Sequence, residues 1–179
     1  IQAFPSGPFE TNAYVAACPD THLATIIDPA PESADPIISY LNEHNLQPLI
    51  ILLTHSHWDH IGDAAKLKKA LQIPVFIHEL DIPNLKKPGS DGLPLFTEIE
   101  GVEPDHLIKE EEKITLGKLT FTVIHTPGHT QGSVSFYTDG MLICGDTLFR
   151  GSIGRTDLPL GDRPVEQRVD LAGLYPECR

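Results

Sequence analysis

A chain of 179 residues is long enough for one well-packed core and short for two, and 40% hydrophobic with 21% charged residues excludes a disordered polymer. The formal net charge of -12 weighs against nucleic acid, because phosphate backbones are bound by Lys and Arg that release counterions. No apolar run approaches the roughly eighteen residues of a membrane span, and the start is not basic-then-apolar, so neither a membrane partner nor an intact signal peptide is expected.

Residues 4–14 are turn-rich. Residues 14–17 and 24–27 read as a strand hairpin closed by the polar turn 19–22. Residues 35–45 carry Ile37, Ile38 and Leu41 at helical spacing, with Ser33 and Asp35 as caps and Pro48 beyond the end. The aliphatic run 49–53 is too short for a helix and suits a strand buried on both faces. Residues 62–71 place Ala64, Leu67 and Leu71 on one helical face, and 74–77 form the next strand.

Residues 80–106, with Pro83, Pro88, Gly89, Gly92, Pro94 and Pro104, predict an irregular surface excursion and a candidate lid. The charge run 109–113 reads as a solvated turn leading into a strand. Strands are predicted at 119–124, 133–137 and 141–144, with turns at 128–132 and at Asp139-Gly140. The cysteines Cys18, Cys144 and Cys178 are odd in number and lack metal-type spacing, which implies a reducing, cytoplasmic setting without a disulfide framework. Cys144 is expected to be a small buried residue.

Chemistry concentrates at strand ends. Thr54-His55-Ser56-His57-Trp58-Asp59-His60 packs three imidazoles and a carboxylate directly behind the 49–53 strand. Imidazole and carboxylate both suit zinc, and one ion cannot readily take four neighbours from so short a loop, whereas two adjacent ions can share them. Thr126-Pro127-Gly128-His129-Thr130 and Cys144-Gly145-Asp146-Thr147 follow two further strands. Alone, Asp146 reads as a turn or cap acid; three such ends converging on one sheet edge make a site the better account.

The set His-x-His-x-Asp-His at 55–60, Pro-Gly-His-Thr at 127–130 and Gly-Asp-Thr-Leu-Phe at 145–149 resembles the metallo-β-lactamase superfamily, and within it glyoxalase II, the hydroxyacylglutathione hydrolases. The resemblance runs from about Asn12 to Asp162. It implies one α/β (α+β) domain over 1–179, a four-layer αβ/βα sandwich of two mixed β-sheets flanked by helices, shortened at its C-terminus. It also implies two divalent metal ions, zinc with iron or manganese as substitutes. His55, His57 and His129 would hold the first, Asp59 and His60 the second, and Asp146 would bridge them. For Asp28 two readings stand, an acid that orients a ligand histidine and a simple turn acid before Pro29.

The implied reaction is hydrolysis of a small-molecule thioester. Two ions about 3.5 to 4 Å apart bring a water's pKa towards neutrality and polarise the attacked carbonyl. Asp59 would be the catalytic group that orients this water and accepts its proton. The leaving thiolate, with a pKa near roughly 8.5, asks little of a general acid. Arg155 stands where glyoxalase II has a substrate-contacting lysine, and it suits a carboxylate; pairing with Asp157 or Asp162 is the competing reading.

The chain departs from the pattern at its end. The family's late Pro-Gly-His turn is missing, Cys178 falls at that place if Tyr175-Pro176 is matched, and the stretch after Asp162 is too short to make Cys178 an expected ligand. By the resemblance a one-metal or partly filled centre is expected, and glutathione specificity is not implied, because family members that bind glutathione use a long C-terminal helical region not read in this sequence. A mononuclear iron persulfide dioxygenase, with a similar Gly-Arg-Thr-Asp segment at 154–157, and a catalytically impaired metal-binding protein are the alternatives. A β-lactamase ranks lower, since His60 replaces the Arg and Asp146 the cysteine ligand of one large lactamase group.

Overall fold

The computed structural model describes residues 1–159 and 161, so Leu160, Asp162 and Cys178 lie outside the described residues. Strands β1 (Gln2–Ser6), β2 (Thr11–Ala17) and β3 (Leu23–Ile27) form an antiparallel meander. The chain then passes through α1 (Ala34–Glu43), β4 (Gln47–Leu52), α2 (Trp58–Ile61), α3 (Ala64–Leu71), β5 (Val75–His78), a 3-10 turn at Glu79–Asp81, α4 (Ile82–Lys86) and β6 (His106–Ile108). β4, β5 and β6 extend the meander in parallel, giving the mixed order β1-β2-β3-β4-β5-β6. A second sheet holds β7 (Lys113–Leu116), β8 (Leu119–His125), β9 (Val134–Thr138) and β10 (Met141–Ile143) in the antiparallel order β10-β9-β8-β7, followed by the ribbon β11 (Leu148–Phe149) and β12 (Ser152–Ile153).

The period of two along each strand divides the core. Val15, Ile26, Ile51, Val75 and Ile77 pack against Ile37 and Leu41 of α1, Leu67 of α3 and Leu85 of α4. Their neighbours Ala16, Ile27, Leu52 and Phe76 face the second sheet, where they meet Phe121, Val123 and Phe136. The continuous apolar run of β4 thus serves both layers, as the sequence predicts for a doubly buried strand. Helix, mixed sheet and second sheet form three of the expected layers. Among the described residues the second sheet is wholly antiparallel rather than mixed, and no helix covers its outer face.

Several local expectations shift. β1 runs into the start of the stretch read as turns; Pro5 is tolerated there because β1 is an edge strand. α1 stops at Glu43, and Asn45 takes a left-handed conformation, φ 51°. Neither Ser33 nor Asp35 caps α1 through its side chain; the Ala34 N–H donates instead to the Asp63 carboxylate at 2.7 Å. The helix predicted over 62–71 begins only at Ala64 and is preceded by α2, with Gly62-Asp63 as the joint. The excursion 80–106 is more ordered than expected. Pro83 sits in the first turn of α4, where its missing N–H costs nothing, and Leu85 and Val102 enter the core.

Gly62 fixes that joint by close approach. A Cβ there would lie 2.4 Å from Pro31 Cγ and 2.6 Å from Pro31 N. Gly62→Ala is therefore expected to destabilise the protein by about 1–3 kcal/mol through overpacking. A lower midpoint of urea unfolding at unchanged slope would show this, and an unchanged midpoint would mean that Pro31 yields freely.

Candidate metal centre

Four chain segments leave their strands at one rim. Asp28 follows β3, the 54–60 segment follows β4, His129 lies in the β8–β9 connection and Asp146 follows β10. The Val134 N–H donates to the Thr54 carbonyl at 2.9 Å, joining the two sheets where the ligand loops emerge. His57 is extended, φ -61° and ψ 144°, and serves as the N-cap of α2, so the helix starts at Trp58 and carries Asp59 and His60 in its single turn.

The candidate side chains come together. His55, His57 and His129 each offer a ligand atom within 4.8 Å of the other two, and all three are buried. Their ring centroids stand 4.5 to 4.9 Å apart, and His60 lies 4.1 Å from His55. His57 Nδ1 and His129 Nε2 face each other at 2.8 Å. Asp146 spans the cluster, with Oδ1 at 3.2 Å from His60 Nε2 and Oδ2 at 3.4 Å from His129 Nε2. Asp59 Oδ2 is 3.6 Å from His60 Nε2 and accepts a hydrogen bond from the Thr11 hydroxyl at 2.7 Å.

Three buried imidazole nitrogens, Nε2 of His55, His57 and His60, have no hydrogen-bond partner. Buried polar atoms are normally satisfied, and an imidazole lone pair is a good ligand for a borderline cation, so this donor set fits divalent metal. The electrostatics agree. Burial, reinforced by His129 and His60, pushes His57 down to about 3, and burial with its imidazole neighbours holds His55 well below the ordinary range; both rings are neutral and ready to donate lone pairs. His60 goes the other way. Burial would lower it, but the carboxylates of Asp146, Asp28 and Asp59 outweigh burial and raise it well above its usual value. Burial likewise opposes ionisation of Asp146, yet His60, His129 and His57 keep its carboxyl below the usual range.

Behind these groups lies a layer of hydrogen bonds. Asp28, His55 and His60 form a second tight group, but Asp28 is already engaged. Its carboxylate accepts from the Thr54 N–H at 2.7 Å and the Thr54 hydroxyl at 2.5 Å, and lies 2.9 Å from His60 Nδ1. That arrangement suits an acid orienting a histidine better than a turn acid, and it leaves His60 Nε2 facing Asp146. The Thr54 hydroxyl also lies 3.0 Å from His55 Nδ1, and His129 Nδ1 is 2.8 Å from the Arg155 carbonyl. Asp81, not singled out in the sequence because it falls in the 80–106 stretch, is 3% exposed and binds both histidine loops. Its only sequence signal is an acid just beyond a strand, the signal that marks Asp28 and Asp146.

A cavity of about 740 Å³ opens beside Asp59, His60 and Asp146. Phe9, Tyr14, Leu142, Phe149 and Arg150 are among its lining residues. Cys144 also lines it and is half-buried, not the fully buried filler expected. Arg155 is not in the lining; its guanidinium pairs with Asp157 at 3.0 and 3.1 Å, and only its backbone touches a histidine. Phe96 of the 80–106 stretch packs 5.5 Å from both Phe9 and Trp58. No helix among the described residues is long and apolar enough to cross a membrane.

A sequence profile of the metallo-beta-lactamase superfamily matches residues 6–178. The chain belongs to this superfamily. A probable metallo-hydrolase of Bacillus subtilis, YqgX, is 39% identical over 89% of this chain and 76% of its own. A hydroxyacylglutathione hydrolase of Nitrosomonas eutropha is 32% identical over 99% of this chain and 62% of its own. Two crystal structures are similar as well. That of the BLEG-1 B3 metallo-beta-lactamase has a TM-score of 0.86 at 41% identity, covering 97% of this chain and 86% of the other. That of TTHA1623 in a di-iron-bound form has a TM-score of 0.79 at 35% identity, covering 94% and 83%. The fold is thus the metallo-β-lactamase fold, with His and Asp groups able to bind metal at its rim.

His57→Ala removes a nitrogen from the tightest group. The variant is expected to lose metal from that position, lowering metal per chain by about one equivalent in elemental analysis of protein prepared without added metal. Unchanged content would remove His57 from the ligand set.

Proposed function

We propose that the chain is a metallo-hydrolase that cleaves small-molecule thioesters, with His55, His57 and His129 holding one divalent cation, Asp59 and His60 a second, and Asp146 shared between them. The observation that carries this reading is Asp146, whose two carboxylate oxygens face two different histidines, His60 and His129, beside an open cavity. Zinc is the first choice for such a nitrogen-rich set, and the di-iron form of a relative makes iron the second. When bound, the cations supply Lewis acidity, acidifying water and polarising the carbonyl under attack.

The remaining tasks fall to the chain. Asp59 lines the cavity with Oδ2 tied to Thr11, which leaves Oδ1 to orient the attacking water and take its proton. Asp28 holds His60 in a fixed tautomer and orientation through Nδ1. The apolar side chains in the cavity lining, among them Phe9, Leu142 and Phe149, give the acyl group apolar surface to pack on. A thiolate leaves without a strong general acid, because an ordinary thiol has a pKa near roughly 8.5. For a substrate carboxylate two arginines compete. Arg150 lines the cavity and is favoured, whereas Arg155 is already satisfied by Asp157.

A second reading, opening of a β-lactam amide, is favoured by the 41% identity to BLEG-1. The assay that separates the readings supplies S-lactoylglutathione, a chromogenic cephalosporin, and glutathione persulfide with an oxygen electrode. Thioester loss abolished by chelation and restored by zinc is expected. Cephalosporin opening alone would replace the substrate class, and oxygen uptake with persulfide and iron would replace hydrolysis by an oxidation. With a carboxylate-bearing thioester, Arg150→Ala is expected to raise KM by about ten-fold or more with little change in kcat, and Arg155→Ala to leave KM within about two-fold. The reverse pattern would return the substrate contact to Arg155.

A further inference from the structure

Ser56 separates His55 from His57, and Thr130 follows His129, so the three histidines of the tightest group ride on two backbone segments from different sheets. Both segments end on one side chain. Asp81 Oδ2 accepts the Ser56 N–H at 2.7 Å and the Thr130 hydroxyl at 3.1 Å, while Oδ1 accepts the Gly132 N–H at 2.9 Å. The approach is close enough to dictate sequence, since a Cβ on Gly132 would lie 2.4 Å from Asp81 Oδ1. From the same region Asn84 Nδ2 donates to the Ser56 carbonyl at 2.6 Å, so Ser56, the residue between the two histidines, is gripped at both its N–H and its C=O.

We propose that Asp81 is a positioning residue that sets the spacing of His55 and His57 relative to His129, and through it the metal affinity of that group. All of its partners are donors, two N–H groups and a hydroxyl, so the site demands a group that only accepts, at both oxygens. An amide in its place turns an NH2 towards either the Gly132 N–H or the Ser56 N–H and pushes one histidine loop away. Groups behind the ligands commonly change metal affinity by about 10- to 100-fold when altered. The inference rests on metal binding at His55, His57 and His129 and not on which bond is cleaved.

The test is titration of metal-free protein with Co2+, followed by its visible ligand-field absorption at a temperature where circular dichroism shows each protein folded. Asp81→Asn is expected to bind the first Co2+ about 10-fold or more weakly and to shift the absorption bands. A folded Asp81→Asn with wild-type affinity and spectrum, however much its melting temperature drops, would reduce Asp81 to a purely structural acid and overturn the proposal. Thr130→Val, which deletes one donor at nearly constant volume, keeps the test open where Asp81→Asn does not fold. It should weaken Co2+ binding several-fold, and wild-type binding in that variant counts against the clamp. A protein that binds Co2+ as expected yet hydrolyses no thioester overturns the functional reading alone.

Discussion

A buried knot of like and unlike charges governs this structure. His55, His57, His60 and His129 lie within one another's reach with Asp28, Asp59 and Asp146 around them, and three buried ring nitrogens have no hydrogen-bond partner. Imidazoles out of water resist protonation, and carboxylates out of water need a partner. The chain alone balances the knot by raising His60 and holding Asp146 ionised. A divalent cation does the same work with more charge and accepts the lone pairs as well, and it competes directly with that proton. The buried donor set thus fits a cation as a counter-charge.

Holding such a knot requires backbone that cannot relax. Two sheets contribute loops, and the loops are fastened by main-chain groups as well as by side chains: Val134 N–H to the Thr54 carbonyl, Thr54 N–H to Asp28, Ser56 and Gly132 N–H to Asp81. Each bond contributes only about 0.5–1.5 kcal/mol net, but losing one partner strands a buried group at greater cost, so the layer works by exclusion of alternatives.

Much of this was legible in the sequence, and the reason is periodicity and density. β4 reads as doubly buried because it is, with Ile51 turned to the helices and Leu52 to the second sheet. His55 to His60 stands out because three imidazoles and an acid in six residues have no common structural use. What stayed hidden depends on tertiary contact. The α1 cap comes from Asp63, 29 residues beyond Ala34, and no local rule for Ser33 or Asp35 can show that. β1 and the order within 80–106 were obscured by prolines, whose meaning changes with position, at a sheet edge for Pro5 and in a helix's first turn for Pro83. Arg155 was chosen by likeness of position, but Asp157, two residues on, occupies its guanidinium.

The two halves of the proposed centre are unequal, and only one of them opens on the cavity. Asp59, His60 and Asp146 line the cavity, whereas His55, His57 and His129 do not. The first position has three neutral or nearly neutral imidazoles, a deep setting and fastened loops. Among the described residues the second has one imidazole and two carboxylates, at an open face. Among the described residues the position beside the cavity therefore has the fewer ligands and the more open setting. That ordering suits hydrolysis, because a cation that must accept a carbonyl or a departing thiolate has to keep coordination free, and a fully encaged ion is a structural one.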